Sequence, residues 1–201
     1  QEEVERVDDR QFRNEINVLF QCAPAVEVTL EMIDDDGKPT TGSLVIRDAL
    51  GRVYPSRSRR LSPDFFFHDQ IYRHSGETVA LPPGKYYVTY SRGPEYLIQT
   101  REITVPTEKT HRERFRLKRW IHLAAQNWYS GDHHIHGAGC AHYDSPTEGV
   151  TPEAMMRHIM GEDLNVGCVL TWGPCWYHQK QFFDGKTHAL STPRYLMRYD
   201  V

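Results

Sequence analysis

The spacing of apolar and polar residues divides the chain into three stretches with different periods. Residues 2–20 carry apolar side chains at helical intervals, at Val4, Val7, Phe12, Ile16 and Leu19. Acidic residues and arginines lie between them, so the pattern predicts a charged lead-in helix within residues 1–24. Residues 25–119 alternate apolar and polar positions over short runs, and residues 120–201 return to longer apolar runs.

The middle stretch predicts short strands joined by tight turns. Val26, Val28 and Leu30 alternate with polar residues, as a half-buried strand requires. Asp34–Pro39 contains an Asp-Gly turn, and residues 43–47 have the pattern of the strand that returns from it. Because further short runs of β-forming residues follow with turns between them, we predict an antiparallel β-sandwich over residues 25–119.

The last stretch predicts a strand, a helix and a second strand. Residues 128–136 have the pattern of a strand, and Thr151-Pro152-Glu153 supplies a helix cap, a proline at the first helical position and an acid in the first turn. Residues 165–171 are nearly all apolar, as expected of a parallel strand buried on both faces. This order predicts a βαβ unit, and residues 193–201 predict the start of the next strand.

Composition changes near Trp120. Residues 1–119 contain 19 basic and 19 acidic residues, whereas residues 120–201 contain 5 and 8, with all four tryptophans and eight of the eleven histidines. We therefore place a domain boundary there and expect the chemistry on its C-terminal side. The net charge of −3 gives no reason to expect nucleic acid as a partner. No apolar run is long enough for a transmembrane segment, and four cysteines are too few for a disulfide scaffold.

The densest group of candidate metal ligands is the segment Gly131–Gly137, which contains Asp132, His134 and His136. Alternate residues of a strand share a face, so these three side chains are predicted to point the same way. Imidazoles and a carboxylate are ligands that a divalent transition metal binds. Asp132 is interpreted either as a direct ligand or as the partner that orients an imidazole. A surface histidine cluster, or histidines bonded to backbone carbonyls, is the alternative.

Residues 25–119 resemble the transthyretin-like or carboxypeptidase-regulatory type of β-sandwich. The resemblance is carried by the Gly37-Lys38-Pro39 turn and by the segment Leu81–Tyr86. Such modules usually lie beside a catalytic domain. The aromatic residues Tyr54 and Phe65–Phe67 suggest either a sugar-binding surface or packing within a core or between domains.

The segment Asp132–His136 resembles the first motif, Asp-x-His-x-His, of the PHP metallohydrolases, the polymerase and histidinol phosphatase type. Thr147–Glu153 resembles the segment that leads into the first helix of that family. Residues 128–183 are similar to the branch that contains CehA/McbA-type amide and ester hydrolases. The resemblance implies that residues 120–201 are the N-terminal part of an α/β domain, a distorted PHP β/α barrel.

The same resemblance implies a cluster of two or three divalent transition metal ions, of zinc, manganese or iron. It implies His134 and His136 as metal ligands, and Glu148 as a ligand at a position where the family often has an aspartate. Asp132 joins this set as the acidic residue of the first motif. No catalytic acid or base is identified from the sequence.

Two features depart from the family pattern. Thr171 is followed by Trp172-Gly173 where the family has Asp-His, and His142, Cys175 and His178 are candidates to replace the missing ligand. Residues 120–201 are also far fewer than the roughly 200 residues or more that such a barrel needs. We therefore expect the chain to be a fragment that ends within the barrel and is inactive by itself.

The sequence thus predicts a multidomain protein in which a β-sandwich precedes a metal-dependent hydrolase domain. The expected reaction is attack of metal-activated water on a small-molecule ester, amide or phosphoester. The alternative is a non-catalytic secreted binding or structural component with a degenerate PHP-like domain. Since such sandwiches accompany exported enzymes, we expect a periplasmic or secreted protein whose leader is absent from this chain; the oligomeric state is left open.

Overall fold

The computed structural model describes residues 24–138 and 149–199. The predicted lead-in helix within residues 1–24 lies outside this range except for its last position, so it stays a prediction. No helix in these two described ranges is long and apolar enough to cross a membrane.

The first half of the described chain is built from strands in two sheets. The first sheet has the order β5-β1-β8, and the second has the order β3-β2-β6-β7, with β4 also paired to β2. The strands are β1 Val26–Ile33, β2 Thr41–Asp48, β3 Val53–Tyr54, β4 Ile71–His74, β5 Thr78–Leu81, β6 Gly84–Ser91, β7 Gln99–Val105 and β8 Thr110–Arg116.

These two sheets enclose one apolar core, which is the arrangement expected of a β-sandwich. Alternate residues of each strand point inward, as Tyr86, Val88 and Tyr90 do on β6. Both sheets contribute to the core, whose buried members include Val28, Leu30, Met32, Leu44, Ile46, Leu81, Val88, Ile103 and Phe115. The alternating pattern in the sequence therefore located the core-facing side of these strands.

The pairing within this part differs from the prediction in two ways. Strands β1 and β8 are parallel, so the sandwich is not wholly antiparallel. Residues 43–47 do lie in a strand, β2, but β2 does not return along β1. The turn at Gly37, whose φ is +82°, is closed by a bridge between Ile33 and Pro39, after which the chain crosses to the other sheet. Local turn residues specify the turn but do not specify which sheet the next strand joins.

The second part is a parallel three-stranded sheet, within the described residues, in the order β11-β10-β9. Its elements are β9 Gly131–His136, α1 Pro152–Gly161, β10 Val166–Leu170, α2 Trp176–Gln179 and β11 Leu196–Tyr199. The predicted βαβ unit and the strand that follows it are thereby confirmed. Thr151 caps α1 as predicted, since its side chain accepts a hydrogen bond from Ala154 N at 3.3 Å.

One face of this parallel sheet packs on α1. Gly167 and Val169 of β10 are buried on that face, and Met197 and Tyr199 of β11 lie beside them. Side chains on the other face, including Cys168 and Leu170, are only half-buried within the part of the chain that the structure describes. The expectation that β10 is buried on both faces is therefore wrong for the described residues.

Helix α1 and the turn after it also contact the sandwich, along a surface that we call the junction. A Cβ added at Gly161 would lie 2.2 Å from Cδ1 of Tyr72, and one added at Gly93 would lie 2.0 Å from the carbonyl oxygen of Glu162. These approaches require glycine at both positions. The helix therefore lies directly against β4 and the segment after β6.

Candidate functional site

The two predicted metal-binding histidines lie at the carboxyl end of β9. His136 pairs with Leu170, the last residue of β10, and the next N–H along the chain, that of Gly137, donates to the carbonyl oxygen of Leu170 at 2.9 Å. The histidines therefore stand at the carboxyl edge of a parallel sheet. This edge is where open α/β sheets hold their ligands, because the loops that follow the strands converge there.

The register of β9 against β10 changes which side chains share a face. Asp132 pairs with Gly167 and Ile135 pairs with Val169, so three steps along β9 match two along β10. An extra residue of this kind interrupts the alternation of a strand. Asp132 thus pairs with Gly167 and His136 pairs with Leu170, and Asp132 itself is exposed. Regular alternation is therefore interrupted between Asp132 and His136, and the shared face stays a prediction for Asp132.

His134 and His136 do lie together. Their ring centres are 5.0 Å apart, with the planes tilted by 45°, and both residues are exposed. Two imidazoles bound to one tetrahedral ion have ring centres about 5 Å apart, given nitrogen–metal bonds of about 2.0–2.1 Å. The spacing of the pair therefore fits a shared divalent ion.

Asp132 interacts with the backbone of the pair. Its Oδ1 accepts a hydrogen bond from the backbone N–H of His134 at 2.8 Å. This contact supports neither of the two roles predicted for the carboxylate, which were to bind the metal or to orient an imidazole. In this structure the side chain of Asp132 holds the main chain at the position where the register shifts.

The described residues do not complete a metal site. No group of three or more His, Cys, Asp or Glu side chains within residues 24–138 and 149–199 could hold an ion. Glu148 lies outside the described residues, as does His142, so their assignment as ligands stays a prediction from the sequence. Cys175 is buried and His178 is half-buried on α2, and neither forms such a group.

Trp172 occupies the place beside His136. The two rings meet edge to face, with centres 4.4 Å apart and planes at 82°. Trp172 and Trp176 are each 43% exposed, and Tyr177 is 72% exposed. These three aromatic residues are therefore partly on the surface. Phe182 and Phe183 instead pack against the buried apolar cluster that α1 forms with the parallel sheet.

A set of backbone contacts fixes the chain just after His136. Val150 N–H donates to the carbonyl oxygen of Gly137 at 2.8 Å, and a Cβ at Gly149 would lie 2.3 Å from that oxygen. The buried side chain of Gln179 donates from Nε2 to the carbonyl oxygen of Val150 at 3.3 Å. Sequence reasoning missed Gln179, because a glutamine on a short helix carries no motif. The left-handed φ of +79° at Gly149 explains why a glycine stands there.

Comparison of the chain with protein-family models and with curated protein sequences found no match.

Proposed function

We propose that His134 and His136 bind a divalent transition metal and that the protein is a metal-dependent hydrolase of small-molecule esters, amides or phosphoesters. The observation that supports this most directly is the pair of exposed imidazoles, 5.0 Å apart, at the carboxyl edge of a parallel sheet. When bound, such an ion supplies activated water at neutral pH and polarises the bond that is hydrolysed.

The neighbouring residues have defined tasks in this proposal. The imidazoles of His134 and His136 hold the ion, and Asp132 fixes the backbone from which His134 projects. Trp172 contacts the His136 ring edge to face, which limits the rotation of that ring. The contacts of Gly137, Val150 and Gln179 hold the loop that follows the pair.

The proposed domain is the beginning of a PHP-like barrel. Three parallel strands in the described part, with α1 in the first crossover, are compatible with the start of a β/α barrel. Glu148 and further ions would belong to the complete metal cluster. We place the protein in the periplasm or outside the cell, from its pairing with a sandwich module.

A non-catalytic role is the second candidate, and one observation favours it. Trp172 stands where the family has a ligand aspartate, and its indole ring occupies the space beside His136. A barrel with this substitution could bind a partner or contribute structure without catalysing a reaction. The residual pair of histidines would then be a remnant of the metal site.

Because the chain by itself is expected to be inactive, hydrolysis by the metal-loaded full-length protein tests the catalytic assignment. Wild type and a His134→Ala plus His136→Ala double variant are given aryl esters, amides and phosphoesters with zinc, manganese or iron(II). Metal-dependent turnover that is lost in the double variant and kept in His122→Ala, a change of an exposed histidine, would support the proposal. Turnover that survives the double substitution would contradict it, and absence of any turnover would favour the non-catalytic candidate.

A further inference from the structure

His158 lies on α1 where the helix meets the sandwich. Its ring packs against three side chains of the segment that leads into β4 and of β4 itself. Tyr72 is 4.5 Å away at 78°, Phe65 is stacked at 5.3 Å, and His68 is 6.1 Å away. The imidazole is therefore part of the junction between the sandwich and the parallel sheet.

One hydrogen bond of His158 determines which ring nitrogen carries the proton in the neutral form. Nδ1 lies 2.9 Å from the carbonyl oxygen of Ala154, and because a carbonyl only accepts, Nδ1 carries the proton. Nε2 is shielded from solvent and has no hydrogen-bond partner among the described residues. A second proton on the ring would therefore place an N–H, and a positive charge, among aromatic rings.

The charged groups near His158 are already paired. From the segment before β4, Asp64 is held by Arg73, with contacts of 2.6 and 2.5 Å, and His68 bonds to the carbonyl oxygen of Gln70. On β4, the hydroxyl of Tyr72 donates to Glu162, which follows α1.

On α1 itself, Arg157 adds a positive charge and is bound to Glu77. The carboxylates of Asp64, Glu77 and Glu162 thus each have a partner, and none forms a hydrogen bond with His158 in the described structure. Burial in this setting lowers the pKa of His158 to about 4, and burial also lowers the pKa of His68.

We propose that His158 makes the junction sensitive to acid, so that its protonation loosens the contact between α1 and the sandwich. In the unfolded chain a histidine has a pKa near 6.5, whereas burial lowers the pKa of His158 in the folded chain to about 4. As the pH falls, the unfolded state is therefore protonated before the folded state, and protonation favours unfolding. The stability contributed by the neutral ring is complete above the unfolded-state value and is lost between about pH 6.5 and pH 4. The full change in the folding equilibrium, reached below pH 4, is about 300-fold.

Urea unfolding of the 201-residue chain between pH 7.5 and pH 4 tests this proposal. Wild type is compared with His158→Phe, which keeps an aromatic ring, and with His122→Phe as the control. We expect the unfolding equilibrium of wild type and of the control to shift by about 150-fold more than that of His158→Phe over this range, because the folded state is half protonated at pH 4. Equal pH dependence of wild type and His158→Phe would overturn the proposal.

Two measurements on wild type alone keep the test valid if His158→Phe fails to fold. The ring resonance of His158 should titrate well below pH 6, and a midpoint near 6.5 would overturn the proposal. Small-angle X-ray scattering should show a larger radius of gyration near pH 4 than at pH 7.5, with circular dichroism unchanged. An unchanged radius over this range would contradict loosening. The proposal is independent of the metal site, so metal-free protein serves for all of these measurements.

Discussion

His134 and His136 are brought together by a local irregularity of β9 and not by simple alternation through the whole segment. The register shift lies between the pairs Asp132–Gly167 and Ile135–Val169. Asp132 precedes the register shift, His134 lies within it and His136 follows it. The two imidazoles are nevertheless adjacent. The carboxylate then accepts the backbone N–H of His134. At the scale of single residues, the account therefore predicts that Asp132 acts through the position of the backbone.

Substitution of Asp132 separates this role from direct ligation. Asp132→Asn keeps an oxygen that can accept the N–H of His134 and should leave zinc affinity within a few-fold of wild type. Asp132→Ala removes the acceptor and should lower zinc affinity about 10- to 100-fold, as loss of a supporting contact does. Isothermal titration calorimetry of the two variants measures both effects. An equal large loss in Asp132→Asn and Asp132→Ala would indicate that the charged carboxylate itself is a ligand.

At the scale of elements, sequence patterns located the strands and α1 but not all of their pairings. Alternation and capping are local properties, so the positions of β1, β2, β9, α1 and β10 followed from them. The parallel pairing of β1 with β8 depends on residues that are about 80 positions apart, and no local pattern reports it. The apolar run at residues 165–171 correctly predicted strand β10. It wrongly predicted burial of both faces, because an apolar side chain does not indicate whether another element covers it.

Residue spacing predicted one part of the candidate site, the histidine pair, and not its surroundings. The spacing of His134 and His136 was enough to place both on one face of a strand, and their rings are adjacent. The extra residue in β9 has no signature in the sequence Gly131–His136, so the interrupted alternation was not predicted. The contact of Trp172 with His136 depends on where the chain turns after β10, which residue spacing does not specify.

At the scale of the molecule, buried ion pairs connect the sandwich to the parallel sheet. Arg92, which is 2% exposed, lies 2.5 Å from Asp34 and 3.4 Å from Asp163. Arg119 joins Glu95 to Asp163, with a distance of 2.7 Å to each. Asp34, Arg92, Glu95 and Arg119 belong to the sandwich side, whereas Asp163 follows α1. The position of the candidate site relative to the sandwich is therefore set by charged groups as well as by apolar packing.

Removal of Arg92 tests this connection. Arg92→Ala leaves Asp34 and Asp163 without one of their partners in a buried setting, so we expect the free energy of unfolding to fall by about 3–5 kcal/mol. Arg112→Ala is the control, because Arg112 pairs with Glu31 on the exposed surface and its loss should cost less than about 1 kcal/mol. Urea unfolding at pH 7.5 gives both values. A cost for Arg92→Ala as small as that of the control would show that the junction does not depend on these pairs.

Metal binding by the purified chain tests the central claim most directly. Zinc and manganese are titrated into metal-free wild type, His134→Ala, His136→Ala and His122→Ala, with thermal unfolding to show that each variant folds. The account predicts that wild type and His122→Ala bind metal and that each substitution in the pair lowers the affinity by more than about 100-fold. Equal metal affinity in all four proteins would contradict the assignment of His134 and His136 as ligands.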